Sequence, residues 1–192
     1  MRRRALLATA GLTALAGCTG LHVPTICSRP SSRADRLDFE THEFSSVNRW
    51  SPYEDAVLAT EAAHVERFEL PEDIVEVVEE QDDMDVKDFR LTSDERAFIE
   101  NTDFEESILV GVRVLAPYRS TEPRVTHVVN EGESVHCYVC VNWRGPAGSG
   151  NWGSWLIRVH DSWTPEQVRV TFTNGSASTD TFESAGTGLD SG

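Results

Sequence analysis

Cys137 and Cys140, separated by two residues, have the spacing in this 192-residue chain that most suggests chemistry. A Cys-x-x-Cys pair can hold zinc or act as a redox centre when it lies on a turn or a helix start. This pair lies inside residues 134–143, where valines alternate with polar residues as in a β-strand. Three residues of strand separate two Cα atoms by roughly 10 Å, beyond the ~7 Å limit for a disulfide. The pattern therefore favours two thiols on opposite faces of a sheet.

Cys27 is a candidate disulfide partner for Cys137 or Cys140, and the fourth cysteine, Cys18, belongs to the N-terminal sequence discussed below. Cys137 shares its strand face with valines and is predicted to be a buried small hydrophobe. Cys140 shares the other face with polar side chains, so a Cys27–Cys140 disulfide is the first expectation and Cys27–Cys137 the second. A metal or redox site built from Cys27, His136 and Cys140 is a third alternative. We predict no metal and no cofactor.

The chain begins with three arginines followed by about 12 apolar residues, fewer than the roughly 20 that span a bilayer, as is typical of a signal peptide. Arg3-Arg4-Ala-Leu-Leu resembles the twin-arginine export motif. Leu-Ala-Gly-Cys18 resembles the lipobox of prokaryotic lipoproteins, in which Cys18 would carry lipid. Residues 1–17 are therefore predicted to be a signal peptide, and the mature protein to be anchored by Cys18 on the extracellular face of the cell membrane.

The composition is strongly acidic, with a formal net charge of −15. Lys87 is the only lysine, and the other basic residues are arginines. Dense carboxylates keep a surface hydrated where salt screens charge repulsion, so the composition resembles that of halophilic proteins. Nucleic acid is excluded as a partner, because binding its backbone requires clusters of lysine and arginine.

The mature chain divides into three predicted parts. Residues 18–36 carry the lipidated cysteine and form a flexible tether, and residues 37–174 form a single globular domain. Residues 175–192 are rich in serine, threonine and glycine and are predicted to be disordered. Asn174 begins an Asn-Gly-Ser sequence, which is either a glycosylation site or a plain Asn-Gly turn.

The second half of the domain alternates apolar and polar residues, which predicts antiparallel strands with one buried face. Residues 130–133 have the composition of a hairpin turn. In the first half we expect strands at 37–44 and 56–60, helices at 62–68 and from Leu70, and a capping box at 92–95 that opens another helix. The predicted fold is mainly β, an antiparallel β-sandwich-like or curled sheet with two or three short helices, with α+β as the alternative. The strands are predicted at 106–115, 124–129, 134–143, 154–160 and 167–173.

This order of helix, Thr-Asp-Phe-Glu-Glu-Ser (102–107), apolar strand, hairpin and Ser-Trp-Leu-Ile-Arg-Val (154–159) resembles haloarchaeal lipoproteins exported by the twin-arginine route. More distantly, it resembles the C-terminal domain of PrcB-type protease-complex subunits. The resemblance covers roughly residues 56–173, and the glycine-rich and Tyr-Pro landmarks of PrcB-type domains are missing or altered. It implies a small β-rich accessory or binding domain, and it brings no catalytic motif with it.

No catalytic residue is predicted. The chain has no Gly-x-Ser-x-Gly, no His-Glu-x-x-His and no phosphate-binding glycine loop. His160, Asp161 and Ser162 do not form a triad, because adjacent strand residues point to opposite faces. The acidic run at 79–85 lacks the glycine of a calcium loop and is interpreted as a solvated loop.

Four tryptophans surround the glycine-rich stretch 144–151 and could stack on sugar rings. Alternatively, Trp155 points into the core and Trp143 and Trp163 cap it. The function predicted first is a non-catalytic surface module that binds a protein or another envelope component. Carbohydrate binding through the Trp143 to Trp163 region, with a surface glycan as partner, is the alternative. Its ligand-binding candidates are Trp152, Trp155, Arg144 and Asn151.

Overall fold

The computed structural model describes residues 27–43, 55–69, 75–76, 80, 90–116, 120–143, 151–173 and 179–185. Within them the chain is mainly β, with two sheets and two short helices, which confirms the predicted fold class. The elements are β1 (Asp35–Arg36), β2 (Asp38–Glu43), β3 (Asp55–Ala59), a 3-10 helix (Ala62–Phe68), α1 (Ser93–Glu100), β4 (Ser107–Ala116), β5 (Ser120–Asn130), β6 (Ser134–Trp143), β7 (Asn151–His160), β8 (Gln167–Thr173) and β9 (Thr179–Ala185).

The two sheets stack as a sandwich. One has the strand order β1-β5-β6-β8-β9 and the other β2-β7-β4-β3. Alternate residues of the central strands meet between the sheets, as the period of two predicts. Fully burying each valine or isoleucine there contributes about 1.5–3 kcal/mol relative to leaving it exposed. The core includes Val110, Val112, Val135, Cys137, Val139, Ile157, Val168, Val170 and Phe172.

The four-stranded sheet is also covered on its outer face, where the sequence predicts only one buried face. The 3-10 helix and α1 pack there, and they bury Phe68 and Ile99 against Leu109 and Leu156. Both faces of β4 and β7 are therefore apolar at positions that alternate. Gly111 makes room for this layer, because a Cβ atom there would lie 3.0 Å from Cε1 of Phe68.

The helices begin where the sequence predicts. The backbone N–H of Thr92 donates to Glu95 Oε2 at 2.6 Å, and the Glu95 N–H donates back to Thr92 Oγ1 at 3.3 Å, which is a capping box. The helix expected at 62–68 is the 3-10 helix. The helix expected from Leu70 falls outside the described residues, except for Val75 and Glu76, which are helical.

The hairpin β5–β6 turns at residues 130–133, and Gly132 has φ of 79° as a left-handed turn residue. All described strand pairs are antiparallel except β6–β8, which is parallel. The parallel pair arises because β7, which lies between them in sequence, pairs with β2 and β4 in the other sheet. The chain crosses to that sheet and back, and alternation within single strands carries no information about such a crossover.

Two predicted flexible regions are partly ordered. The prediction of disorder for 175–192 is wrong for Thr179–Ala185, which form β9 and pair along their whole length with β8. Phe182 of β9 also packs against the core. The prediction of a flexible tether for 18–36 is wrong for Asp35 and Arg36, which pair with β5 as strand β1. Main-chain pairing stabilises both segments, and a polar composition does not reveal it.

We expect Gly111→Ala to destabilise the domain by about 1 kcal/mol or more, because the new methyl group overpacks against the buried Phe68 ring. Denaturant unfolding measures this cost. In a Phe68→Leu background, where the ring edge is gone, the same substitution should be close to neutral. An equal cost in both backgrounds would show that the Phe68 contact is not its cause.

Candidate functional site

A disulfide joins Cys27 to Cys140, with Cα atoms 5.5 Å apart and a sequence separation of 113. Of the pairings that the sequence allows, this one uses the cysteine on the outer face of β6. Cys137 faces the core, is fully buried and is a free thiol. In the chain-entropy model, a crosslink that closes a loop of about 100 residues contributes about 4–5 kcal/mol of stability.

The disulfide fixes the segment before β1 onto the outer side of the five-stranded sheet. The Ser28 N–H donates to Thr173 Oγ1 at 3.0 Å, and that hydroxyl donates to Ser28 Oγ at 2.9 Å. Ser28 Oγ also lies 3.3 Å from Thr179 Oγ1 of β9. We call residues 27–36 the docked segment, since it contacts β5, β6, β8 and β9.

A cavity of about 310 Å³ opens between the docked segment and β5. Two of its lining residues, Arg29 and Arg124, are exposed arginines from different parts of the chain. Among the described residues, its lining includes no carboxylate, and no described Asp or Glu forms an ion pair with either arginine. We call it the arginine cavity; it is lined by Cys27, Arg29, Arg124, Val125, Thr126 and His127.

A β-bulge in β5, between Val125 and His127, places the His127 side chain on the same face of the sheet as Arg124. Arg124 pairs with Cys140 and Val125 with Val139, and after an irregularity His127 pairs with Tyr138. Paired residues of antiparallel strands point to the same face, so Arg124 and His127 both lie on the outer face although they are three residues apart. Regular alternation would place them on opposite faces. The bulge is the reason that sequence analysis missed this site.

His127 is held by hydrogen bonds at the cavity wall. Thr126 Oγ1 donates to the Tyr138 carbonyl at 3.1 Å, so at 3.1 Å it accepts from Nδ1 of His127. The Tyr138 ring lies edge-on, with centroids 6.3 Å apart. Burial, followed by the charges of Arg36 and Arg29, lowers the pKa of His127 below its ordinary value. Because Thr126 Oγ1 accepts from Nδ1, the neutral His127 ring carries its proton on Nδ1.

A polar network covers the rest of this face. His136 is buried, and its Nε2 lies 2.8 Å from Thr171 Oγ1, which contacts Thr181 at 2.9 Å. Its ring stacks on Tyr138, with centroids 4.3 Å apart. Nδ1 lies 3.0 Å from Glu131 Oε1, but this contact lacks the geometry of a hydrogen bond.

Glu131 continues the network to the edge of the sheet. It accepts from Arg169 at 2.7 Å, and Arg169 also donates to Glu183 of β9 at 2.7 Å. Burial alone would raise the pKa of Glu131, but the contacts with His136 and Arg169 outweigh it and lower that pKa. The hydrogen bond to Glu183 is the main cause that raises the pKa of Arg169. The network ties the hairpin turn to β8 and β9.

On the other sheet, His160 contacts a serine and a carboxylate. Its Nδ1 lies 3.2 Å from Ser107 Oγ, and its Nε2 lies 3.7 Å from Glu40 Oε1. Ser107 is only 4% exposed, so its hydroxyl is not open to a substrate. Glu40 is engaged by Arg158 at 2.8 Å. Asp161, next to His160, instead accepts from the Trp163 N–H in a local turn.

Arg158 is a structural clamp for α1. It donates to the Phe98 carbonyl at 2.6 Å and to Thr102 Oγ1 at 3.1 Å, near the end of the helix. Its guanidinium carbon lies 4.2 Å from the centroid of the Phe98 ring, and that ring stacks on His42. A cation near a helix C-terminus interacts favourably with the helix dipole, so this cluster holds the helix to the sheet.

The tryptophan prediction is partly overturned. Trp155 is buried in the core at 8% exposure, so its assignment as a ligand-binding residue is wrong. Strand alternation places it inward together with Ile157. Trp163 is half-buried and donates from Nε1 to the Gly132 carbonyl at 2.9 Å, which caps the hairpin turn. Outside the described residues or side chains lie Trp143, Arg144, Asn151, Trp152 and Asn174, together with Cys18 and the signal sequence.

The metal alternative loses its ligands, because Cys27 and Cys140 are bonded to each other and His136 contacts Thr171 and Glu131. Within the described ranges, no group of three potential ligands could hold a metal ion. Across the same ranges, no helix has the length and apolar character needed to cross a membrane.

Comparisons with family models, with curated proteins and with solved structures find no match to this chain. The resemblances to haloarchaeal lipoproteins and to PrcB-type domains therefore stay predictions.

Acid should weaken the contribution of Glu131 to stability. Its folded-state pKa lies below that of an unfolded glutamate, about 4.3, so its contribution is present above that pH and is lost as pH falls through the folded-state pKa. Glu131→Gln should lower the free energy of unfolding at pH 7 by up to about 1 kcal/mol, given its partial exposure. The difference from the parent should shrink below pH 4.

Glu133→Gln is the matched control, because Glu133 lies in the same turn and is exposed. Denaturant unfolding between pH 3 and 7 compares the three proteins. An acid dependence of Glu131→Gln that equals that of the parent would contradict the assignment.

The thiol of Cys137 should be unreactive in the folded protein. Burial raises its pKa to about 12, which at pH 8 lowers the thiolate fraction roughly a thousandfold relative to an ordinary cysteine. In a Cys18→Ser protein, an aromatic disulfide reagent should label no thiol in the folded state. After unfolding in the absence of reductant, it should label one thiol, that of Cys137. Rapid labelling of the folded protein, or three labelled thiols after unfolding, would contradict the burial or the disulfide.

Proposed function

We propose that the chain is a non-catalytic module, lipid-anchored through Cys18 on the extracellular face of the cell membrane, that binds a protein or another envelope component. The observation that carries this proposal is the disulfide-docked segment. Disulfides persist in oxidising compartments outside the cytosol, which supports export. The docked segment begins only nine positions after Cys18.

Nine residues of extended chain span at most about 30 Å, so the outer face of the five-stranded sheet would lie close to the membrane surface. The arginine cavity opens on this same face. A binding surface placed at that distance suits a ligand that is part of the envelope. The acidic surface of the chain, with net charge −15, suits a salty exterior.

A binding role is favoured over catalysis by the burial of groups that could act as nucleophiles. Cys137 and Ser107 are both buried. His136 is buried and held by Thr171 and Glu131. The described cavity presents cations and hydrogen-bonding groups, which bind ligands without forming covalent intermediates. Carbohydrate binding is less well supported by the structure than by the sequence pattern, because Trp155 packs in the core.

Cell fractionation and intact mass measurement test the anchor. The parent protein should be found with the membrane and carry lipid on Cys18, and Cys18→Ser should be released. A Cys27→Ser/Cys140→Ser protein is the control, because it loses two cysteines but keeps the lipidation site. An unmodified Cys18, or a Cys18→Ser protein that stays with the membrane, would contradict lipid anchoring.

The binding role is tested with immobilised Cys18→Ser protein in molar salt, loaded with extract of the cell envelope. We expect a component that binds saturably and that excess free protein displaces. An unfolded sample of the same protein is the control for adhesion. Equal retention by the folded and unfolded samples would contradict a specific binding module.

A further inference from the structure

We infer that the arginine cavity binds the phosphate or sulfate group of an anionic ligand. This inference deepens the proposed binding function by naming the ligand chemistry, and it does not depend on the lipid anchor. It rests on two arginines that pair with no described carboxylate, on their convergence from two segments and on the size of the cavity.

Several arginines elsewhere in the described structure are paired with carboxylates. Arg96, Arg158 and Arg169 each have a carboxylate partner within 3 Å. Arg29 and Arg124 form no ion pair with any described carboxylate, although acidic residues outnumber basic ones 32 to 17. Among the described residues, two guanidinium groups without a carboxylate partner around one opening make a locally positive site on an acidic protein.

The two arginines are positioned by separate structural devices. The disulfide at Cys27 holds Arg29 two residues further along the docked segment. The pairing of Arg124 with Cys140 in the β5–β6 ladder places Arg124 on the same face. Because the crosslink and the strand pairing fix the positions of the two segments, the walls of the cavity are formed before a ligand arrives. Preorganisation of this kind lowers the entropic cost of binding.

Guanidinium groups bind tetrahedral oxyanions through two parallel hydrogen bonds, and two such groups match a doubly charged phosphate or sulfate. A volume of about 310 Å³ exceeds that of a bare ion and lies at the lower end of small-molecule pockets. Screening at 1 M salt shortens Coulomb attraction to about 3 Å, so direct hydrogen bonds inside the cavity must supply the affinity. Phosphate or sulfate esters fit these requirements.

His127 reports on occupancy. The groups that face it are Arg29 of the docked segment, Arg36 of β1, Arg124 of its own strand and the Tyr138 ring of β6. An anion in the cavity would offset the arginine charges and therefore raise the pKa of His127. By linkage, protonation of His127 would strengthen anion binding to the same extent.

The test uses folded Cys18→Ser protein with its disulfide intact, titrated with inorganic sulfate, inorganic phosphate and glycerol 3-phosphate in molar sodium chloride. Calorimetry measures affinity, and NMR follows the His127 ring, assigned with a His127→Gln variant. We expect saturable binding and a higher His127 pKa in saturating sulfate, which itself does not titrate in this pH range. Absence of saturable binding by all three anions would overturn the inference.

Arg29→Gln and Arg124→Gln should each weaken binding roughly tenfold or more, as expected for charged hydrogen bonds. Both residues are exposed, so these variants should fold. Arg33→Gln is the matched control, because it makes the same charge change on the same segment at an exposed position that does not line the cavity. Equal weakening by Arg33→Gln would show general charge attraction in place of a site.

A further arm separates the possible sources of the anionic group. Binding to phosphatidylglycerol vesicles that requires Arg29 and Arg124, with phosphatidylcholine vesicles as control, would identify a lipid head group. Binding to glycerol 3-phosphate but not to these vesicles would identify a soluble ester. A missing lipid on Cys18 of the parent protein would defeat the anchor and leave this inference standing. Failed anion binding by the Cys18→Ser protein, with the parent protein found lipidated, would defeat only this inference.

Discussion

The covalent link between Cys27 and Cys140 is the constraint on which the outer face of the five-stranded sheet depends. It brings together residues separated by 113 positions. Two further contacts hold the chain after Cys27 to the same sheet. They are the hydrogen bonds of Ser28 with Thr173 and the pairing of β1 with β5. Without it, ordering the docked segment would cost backbone entropy that two strand residues and a few hydrogen bonds hardly offset.

The link also explains why two cysteines lie three residues apart in β6. That strand is buried on both faces, and its side chains alternate between the core and the outer face. Cys137 fills space among valines, whereas Cys140 bonds to the docked segment. The two thiols have separate structural roles, so their spacing does not define a zinc or redox centre.

Local patterns predicted local structure well. Strands β6 and β8 were predicted with their observed bounds, because alternation is strict in both. The capping box at Thr92 was predicted because its chemistry involves four consecutive residues. Features that depend on distant partners were missed: the parallel pairing of β6 with β8, the order of β9 and the covering of β4 by Phe68.

The arginine cavity was missed for a related reason. Arg124 and His127 read as opposite-facing residues until the bulge shifts the register. Arg29 lies in a segment whose composition resembles a free tether, and only the disulfide places it at the cavity. The sequence pattern therefore indicated the tryptophans as candidates for binding. In the structure, Trp155 packs in the core and Trp163 caps a turn.

The molecule is a β-sandwich in which a disulfide holds the docked segment to one face, and the arginine cavity lies between that segment and β5. The most direct test is disulfide mapping by mass spectrometry of the protein purified from its own cells, digested without reductant and with free thiols blocked. The account predicts one crosslinked pair of peptides, joined through Cys27 and Cys140, and a blocked Cys137. A Cys27–Cys137 crosslink, or Cys27 recovered as a free thiol, would contradict it.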